Sequence, residues 1–199
     1  MNHYPPSMIA LIKNFSKLPG IGEKTAERLA VHILRSSREA AEALSQSIMD
    51  VKDRIRLCRK CFSLSDAEQC RICSDTGRDA GLLCVVEQQG DMASIEKAGA
   101  FGGLYHVLCG VLSPMDGVGP DDIRIRELID RVREGGVREV VLATGTNLEG
   151  ETTATFIAEK LAPYPVKMTR IATGVPVGGD LKYVDQMTLK KAMEARHGF

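Results

Sequence analysis

Apolar residues recur at helical spacing along the first 57 positions and gather into short unbroken runs further on. Met8, Leu11, Ile12, Phe15 and Leu18 share one face of a helix expected over 8–18. Ala26, Leu29, Ala30, Ile33 and Leu34 do the same over 24–35, and the turn between them is Leu18-Pro19-Gly20-Ile21-Gly22. Pro19 is expected to end the first helix, and the two glycines admit backbone conformations closed to other residues. A longer third helix carries Leu44, Ile48, Val51 and Ile55 on one face, with Lys52, Arg54 and Arg56 elsewhere, and runs directly into the first cysteine. Residues 1–57 are therefore read as wholly helical.

Beyond residue 80 the period changes. Residues 82–86, 105–108, 140–143 and 166–171 read as strands, and residues 92–98, 122–134 and 151–162 have helical spacing. Strands alternating with helices predict a mostly parallel sheet flanked by helices, which binds ligands beyond the carboxyl ends of its strands. A Gly/Pro-rich stretch, 174–179, breaks the pattern before a last helix expected over about 186–196. The fold class is thus α/β with an all-helical N-terminal part.

Composition adds limits. The 199 residues are 44% hydrophobic and 26% charged, near the globular average, which argues against disorder or a fibrous repeat. No apolar run approaches the roughly 18 residues that cross a bilayer, and the first 15 residues lack a signal-peptide core, so the chain is read as cytosolic. The 26 basic and 26 acidic side chains cancel, but unevenly: residues 1–80 hold 13 basic and 10 acidic, residues 81–199 hold 13 and 16. Within residues 1–60 the balance is 11 to 6, a basic bias open to phosphate contact or to a solvated helical face.

The six cysteines carry the most specific signal. Cys58, Cys61, Cys70 and Cys73 form two C-x-x-C pairs separated by eight residues. Each pair presents two thiolates from a tight turn, and together they suit one tetrahedral Zn²⁺ with sulfurs at about 2.3 Å. A redox dithiol explains one pair but not two in succession. Four protein ligands leave no open position, so this zinc is expected to staple the chain and not to catalyse. Cys84 and Cys109 lie in apolar runs and are read as core residues.

The turn Gly20-Ile21-Gly22-Glu23-Lys24-Thr25 resembles a phosphate loop, but Glu23 stands where a Walker A loop needs Gly before its Lys-Thr pair. What remains is a corner between two helices whose backbone N–H groups, together with Lys24 and Arg28 one turn apart, suit a single DNA phosphate. Such a contact reads no base sequence. An ordinary helical hairpin with a Gly-rich corner is the alternative.

The segment Leu18-Pro-Gly-Ile-Gly-Glu-Lys-Thr-Ala-Glu-Arg-Leu-Ala30 resembles a helix-hairpin-helix. With the four cysteines and the βα region behind it, nearly the whole chain resembles the RecR family of bacterial recombination mediators. Residues 102–108, 112–117 and 174–181 extend the likeness. It implies four parts: a helical domain over 1–57, a four-cysteine zinc module over 58–80, a Toprim domain over 81–172 and an exchanged oligomerisation segment over 173–199. It further implies a non-enzymatic DNA-repair factor, cytoplasmic and nucleoid-associated. Such a factor binds single- and double-stranded DNA, acts with RecO and RecF to load RecA, and assembles as a ring-shaped homotetramer.

In catalytic Toprim relatives a Glu after the first strand and an Asp-x-Asp pair after a later one hold Mg²⁺. Here the matching positions are Glu87 and Glu149-Gly150-Glu151. The extra methylene of each Glu moves the oxygens outward, against the strict octahedron of Mg²⁺ at about 2.0–2.1 Å. An acidic patch for a basic partner surface is preferred to a metal site, with helix N-terminal carboxylates as the plain alternative. His106 and His32 read as hydrogen-bonded structural residues, and Tyr105 and Tyr183 as core residues and not nucleophiles. Two rivals stay open: a Mg²⁺-dependent nuclease or phosphotransferase using Glu87, Glu149 and Glu151, and a protein-binding adaptor whose hairpin serves only assembly.

Overall fold

The computed structural model describes residues 3–196, and the chain divides after Ile55 into two compact units. The first consists of helices α1 (Pro6–Phe15), α2 (Glu23–Arg35) and α3 (Arg38–Arg54). Met8 and Ile12 of α1 meet Ala26 and Ala30 of α2, with Tyr4, Leu11, Phe15, Ile21 and Val31 around them. Alanines four residues apart leave a shallow face on α2, so the α1 side chains seat close to its backbone. Helix α1 ends at Phe15, earlier than expected, where the chain passes into tighter three-residue bonds, Lys17 N to Asn14 O at 3.3 Å and Leu18 N to Phe15 O at 3.0 Å. Pro19 therefore lies in the turn and does not terminate the helix. Leu18, assigned to the apolar face, is exposed there. Helix α3 starts on Ser37, whose hydroxyl accepts from Ala40 N, and buries no residue: Leu44, Ile48 and Val51 stand open.

The second unit opens with two short antiparallel strands, β1 (Arg56–Leu57) and β2 (Leu64–Ser65), which pair Arg56 with Ser65 and Leu57 with Leu64. This corrects the reading of residues 1–57 as wholly helical. The helix stops at Arg54 with Ile55 as its cap, and Arg56 and Leu57 then open the cysteine module as a strand. A one-turn helix α4 (Arg71–Ser74) closes that module. There follow β3 (Asp79–Val86), α5 (Gln89–Ala98), β4 (Gly103–Val107), α6 (Ile125–Arg133), β5 (Glu139–Ala143), α7 (Leu148–Leu161), β6 (Lys167–Arg170) and α8 (Gln186–Glu194).

Strands β3 to β6 form one parallel sheet in the order β4-β3-β5-β6, so the connection from β4 to β5 passes over β3. Side chains alternate across it. Leu83, Val85, Val140 and Leu142 point to the face packed by Ile125, Leu128 and Val132 of α6 and by Ala154, Ile157 and Leu161 of α7. Cys84, Val86, Tyr105, Val107 and Ala143 point to the other, where Met92 of α5 meets Phe62 and Ile72 of the cysteine module. Burial on both faces explains why β3 reads as an unbroken apolar run. The cysteine module thus serves as a wall of the sheet's second core.

Cys84 is buried as expected, but Cys109 is exposed, just past the end of β4, with φ +60. The turn away from the sheet there takes its side chain out of the core. Tyr183, expected in the core, is also exposed, in a short turn of 3-10 helix at 181–183.

Candidate metal centre and nucleic-acid interface

The four cysteines converge. Cys58, Cys61 and Cys70 are buried, Cys73 nearly so, and all four sulfurs lie within 4.8 Å of one another. Tetrahedral coordination with Zn–S near 2.3 Å requires sulfurs about 3.8 Å apart, and Cys61 Sγ stands 3.5 Å from Cys70 Sγ. Backbone amides already point at the sulfurs: Cys70 N donates to Cys58 Sγ at 3.3 Å and Cys73 N to Cys70 Sγ at 3.4 Å. A hydrogen bond from Cys73, aided by Ser63 against the cost of burial, pulls the Cys61 thiol down to about 5. The Cys73 thiol that gives that bond is pushed up, and burial raises Cys70. A set of buried thiols sharing negative charge and lacking any nearby carboxylate ligand suits one structural Zn²⁺.

The knuckle between Cys58 and Cys61 is gripped from the sheet side. The Cys61 carbonyl accepts from Val107 N at 2.8 Å, and the Lys60 carbonyl accepts from Arg131 Nη1 at 3.2 Å. Phe62 adopts φ +61, sets its ring edge-on to His106 at 5.3 Å, and lies under the Arg124 guanidinium at 5.2 Å. Sequence reasoning found the four cysteines but not Phe62, Val107 or Arg131. Val107 acts through its backbone amide and Arg131 through the backbone carbonyls it reaches, which leaves little mark on residue identity.

In the helical unit, Gly20 takes φ +75, a left-handed turn that favours glycine, and Gly22 is the N-cap of α2 without a side-chain bond. The first amide of α2 with a helical partner is Ala26, which bonds Gly22 O at 2.9 Å, so the amides before it face outward. Lys24 and Arg28 are exposed one turn apart, and neither enters an ion pair among the described residues. Gly20, Gly22, Lys24 and Arg28 are thus all exposed at one corner, with Glu23 and Glu27 on the same turns of α2.

The acidic residues meet at the carboxyl end of the sheet but not as one set. Glu87 Oε1 accepts from Gly145 N at 2.5 Å. Glu149 Oε1 accepts from Ser113 Oγ at 2.7 Å, and Ser113 also bonds Asp116. Glu151 Oε1 is held by Arg170 Nη2 at 3.1 Å and Lys191 Nζ at 3.6 Å. Arg170 donates as well to Thr144 Oγ1 at 2.8 Å and to the Gly145 carbonyl at 2.9 Å. A cationic guanidinium thus takes the oxygens at the end of β5, and among the described residues the only cluster of potential metal ligands is the cysteine one.

Comparisons with known proteins give four family models in the order of these parts. Residues 9–52 match the RecR helix-hairpin-helix and 55–75 match the RecR four-cysteine zinc finger domain. Residues 81–172 match the Toprim domain and 174–197 match the RecR C-terminal model. A protein named recombination protein RecR from Desulfatibacillum aliphaticivorans is 58% identical over 197 residues, 99% of both chains. One of the same name from Desulforapulum autotrophicum is 56% identical over 199 residues, all of both chains. The chain belongs to the RecR family. A third RecR relative, from Myxococcus xanthus, is 52% identical over 96% of this chain and 98% of its own.

Membership ties the geometry together. The RecR zinc-finger model spans all four converging cysteines, and the RecR helix-hairpin-helix model spans the glycine corner with Lys24 and Arg28. The zinc finger begins at β1, in agreement with the boundary at Ile55. A RecR chain with these domains has a role in DNA recombination and repair. No helix among the described residues is long and apolar enough to cross a membrane.

Proposed function

We propose that this RecR-family chain is a non-enzymatic, DNA-binding recombination mediator. In this reading it is a scaffold in the bacterial cytoplasm and nucleoid that acts with RecO and RecF to help load RecA onto single strands. The observation that carries the reading is the open corner of Gly20, Gly22, Lys24 and Arg28. Two cations without ion-pair partners among the described residues stand beside amides lacking helical partners, an arrangement suited to one phosphate oxygen and indifferent to base identity.

One such corner makes few phosphate contacts, so useful affinity calls for several corners on one assembly. The exposed apolar face of α3 and the exposed Val177, Leu181, Tyr183 and Met187 in the C-terminal segment support assembly into a ring-shaped tetramer, with that segment exchanged. Support for a mediator over a nuclease comes from the acidic edge. Glu87, Glu149 and Glu151 each satisfy a separate protein partner, and Arg170 supplies the neutralising charge. The carboxylates that remain accessible there suit a basic partner surface.

The test is DNA retention by the double variant Lys24→Glu, Arg28→Glu. Reversing two charges at a phosphate contact is expected to weaken binding of single-stranded and duplex DNA alike by at least about tenfold at low salt, with unchanged assembly mass. End-labelled DNA should emerge intact with Mg²⁺ present. Unchanged isotherms would remove the corner from the reading, and shortened strands that depend on Glu87 would replace the scaffold with an enzyme.

A further inference from the structure

Arg131 projects from α6 toward the cysteine module and is partly buried there, yet no carboxylate among the described residues lies within ion-pair distance of it. Its helix neighbours differ. Arg124 pairs with Glu127 at 2.7 Å and Arg133 with Asp130 at 2.6 Å, which commits the two nearest acids of α6 elsewhere. Arg131 Nη1 donates only to backbone carbonyls, of Tyr105 at 2.8 Å and of Lys60 at 3.2 Å. Carbonyl dipoles fix the orientation of a guanidinium but do not neutralise it, and a cation taken from water without a counter-charge is costly.

The counter-charge lies in the module. Burial is the larger influence on the Arg131 guanidinium and lowers its pKa, while the charge of the four cysteine sulfurs opposes that and favours the cation. Four thiolates around Zn²⁺ leave a net charge of about −2 on a buried centre that itself needs compensation. Arg59 is not available for that purpose, since it pairs with Glu68 at the surface at 3.1 Å. We infer that Arg131 is the charge partner of the zinc–thiolate centre, and that through it zinc retention and docking of the module on the sheet are one coupled equilibrium.

The hydrogen bonds make that coupling mechanical. Arg131 grips Lys60, Val107 N holds the carbonyl of the ligand Cys61, and Cys109 Sγ lies 3.8 Å from the Phe62 carbonyl. Three consecutive residues of the knuckle are thus fixed from the sheet and from α6, so a ligand cannot shift without disturbing the interface. By reciprocity, the factor by which docking tightens zinc is the factor by which zinc tightens docking. The inference rests on the zinc reading of the four cysteines and is independent of the DNA reading.

The experiment uses the full zinc-loaded chain with Arg131→Gln and Arg131→Lys, titrated with a chromophoric chelator. Groups that support a metal's ligands from outside the coordination sphere are worth about 10–100-fold in affinity. Arg131→Gln is expected to weaken zinc retention at least about tenfold, and Arg131→Lys to recover most of that. Wild-type affinity in the Gln variant overturns the inference. So does a Lys variant as weak as Gln, since it would make the contact one of shape and not of charge. Amide exchange in the wild-type chain supplies a measurement without substitution. Removing zinc should accelerate exchange at Val107, whose amide is held by the Cys61 carbonyl, and an unchanged Val107 overturns the coupling.

Discussion

His106 is fully buried in β4, and its Nε2 donates to the Arg124 carbonyl at 2.7 Å while Nδ1 has no partner among the described residues. Burial pushes it from 6.5 down to about 4, helped by the nearby Arg131 and Arg124 charges. The unfolded chain binds a proton near 6.5 that the folded chain refuses until about 4, so stability is intact at neutral pH and falls across that window. Integrated, the loss is up to about 3 kcal/mol. His106→Gln should flatten the acid side of the stability curve between pH 6.5 and 4 in denaturant melts. The same slope with and without His106 would assign the acid sensitivity to other groups. At this scale the sequence is readable where chemistry is specific to a side chain. Four cysteines in two C-x-x-C pairs admit few other uses. The clamp on the knuckle is illegible because Lys60 and Cys61 take part through their carbonyls.

Elements are legible in proportion to their burial. The run from Leu83 to Val86 reads as a strand because both faces of β3 are covered, and the helices of the βα region emerge at the predicted places with shifted ends. The shifts have local causes. Helix α7 begins at Leu148, ahead of the expected 151, because the Asn147 side chain accepts from Gly150 N at 2.9 Å. Gly150 also sits where a Cβ would collide with the Gly145 carbonyl and stand 2.8 Å from Glu87 Oε1. The Glu-Gly-Glu spelling therefore reflects a close approach of α7 to the end of β5 as much as the two carboxylates. Gly150→Ala should cost about 1–3 kcal/mol through overpacking, read as a lowered melting temperature, and should release Glu87 from Gly145. Wild-type stability would mean that the α7 N-terminus yields freely. Helix α3 shows the opposite case: its apolar face is clear in the sequence, and the fold of one chain leaves it uncovered.

At the scale of the whole molecule, α3 and the described part of the C-terminal segment both leave apolar side chains exposed. Leu44, Ile48 and Val51 lie within one face of α3 and are each 44–58% exposed. Covering them with a second copy would remove apolar surface worth roughly 25 cal/mol per Å², and it would bring two phosphate corners onto one particle. This gives assembly a measurable consequence for DNA binding. Ile48→Asp buries a charge in any such contact and should lower the particle mass in light scattering. It leaves Lys24 and Arg28 in place, so each corner keeps its intrinsic affinity. Avidity multiplies weak sites on one assembly, and the effective concentration of the second corner vanishes when the copies part. Ile48→Asp is therefore expected to reduce DNA retention at least about tenfold and to flatten its dependence on salt, because fewer phosphates are neutralised per bound particle. A smaller particle with undiminished retention and salt slope would show that one corner suffices. An unchanged mass would place the assembly contact on the C-terminal segment, where Leu181→Asp becomes the corresponding variant.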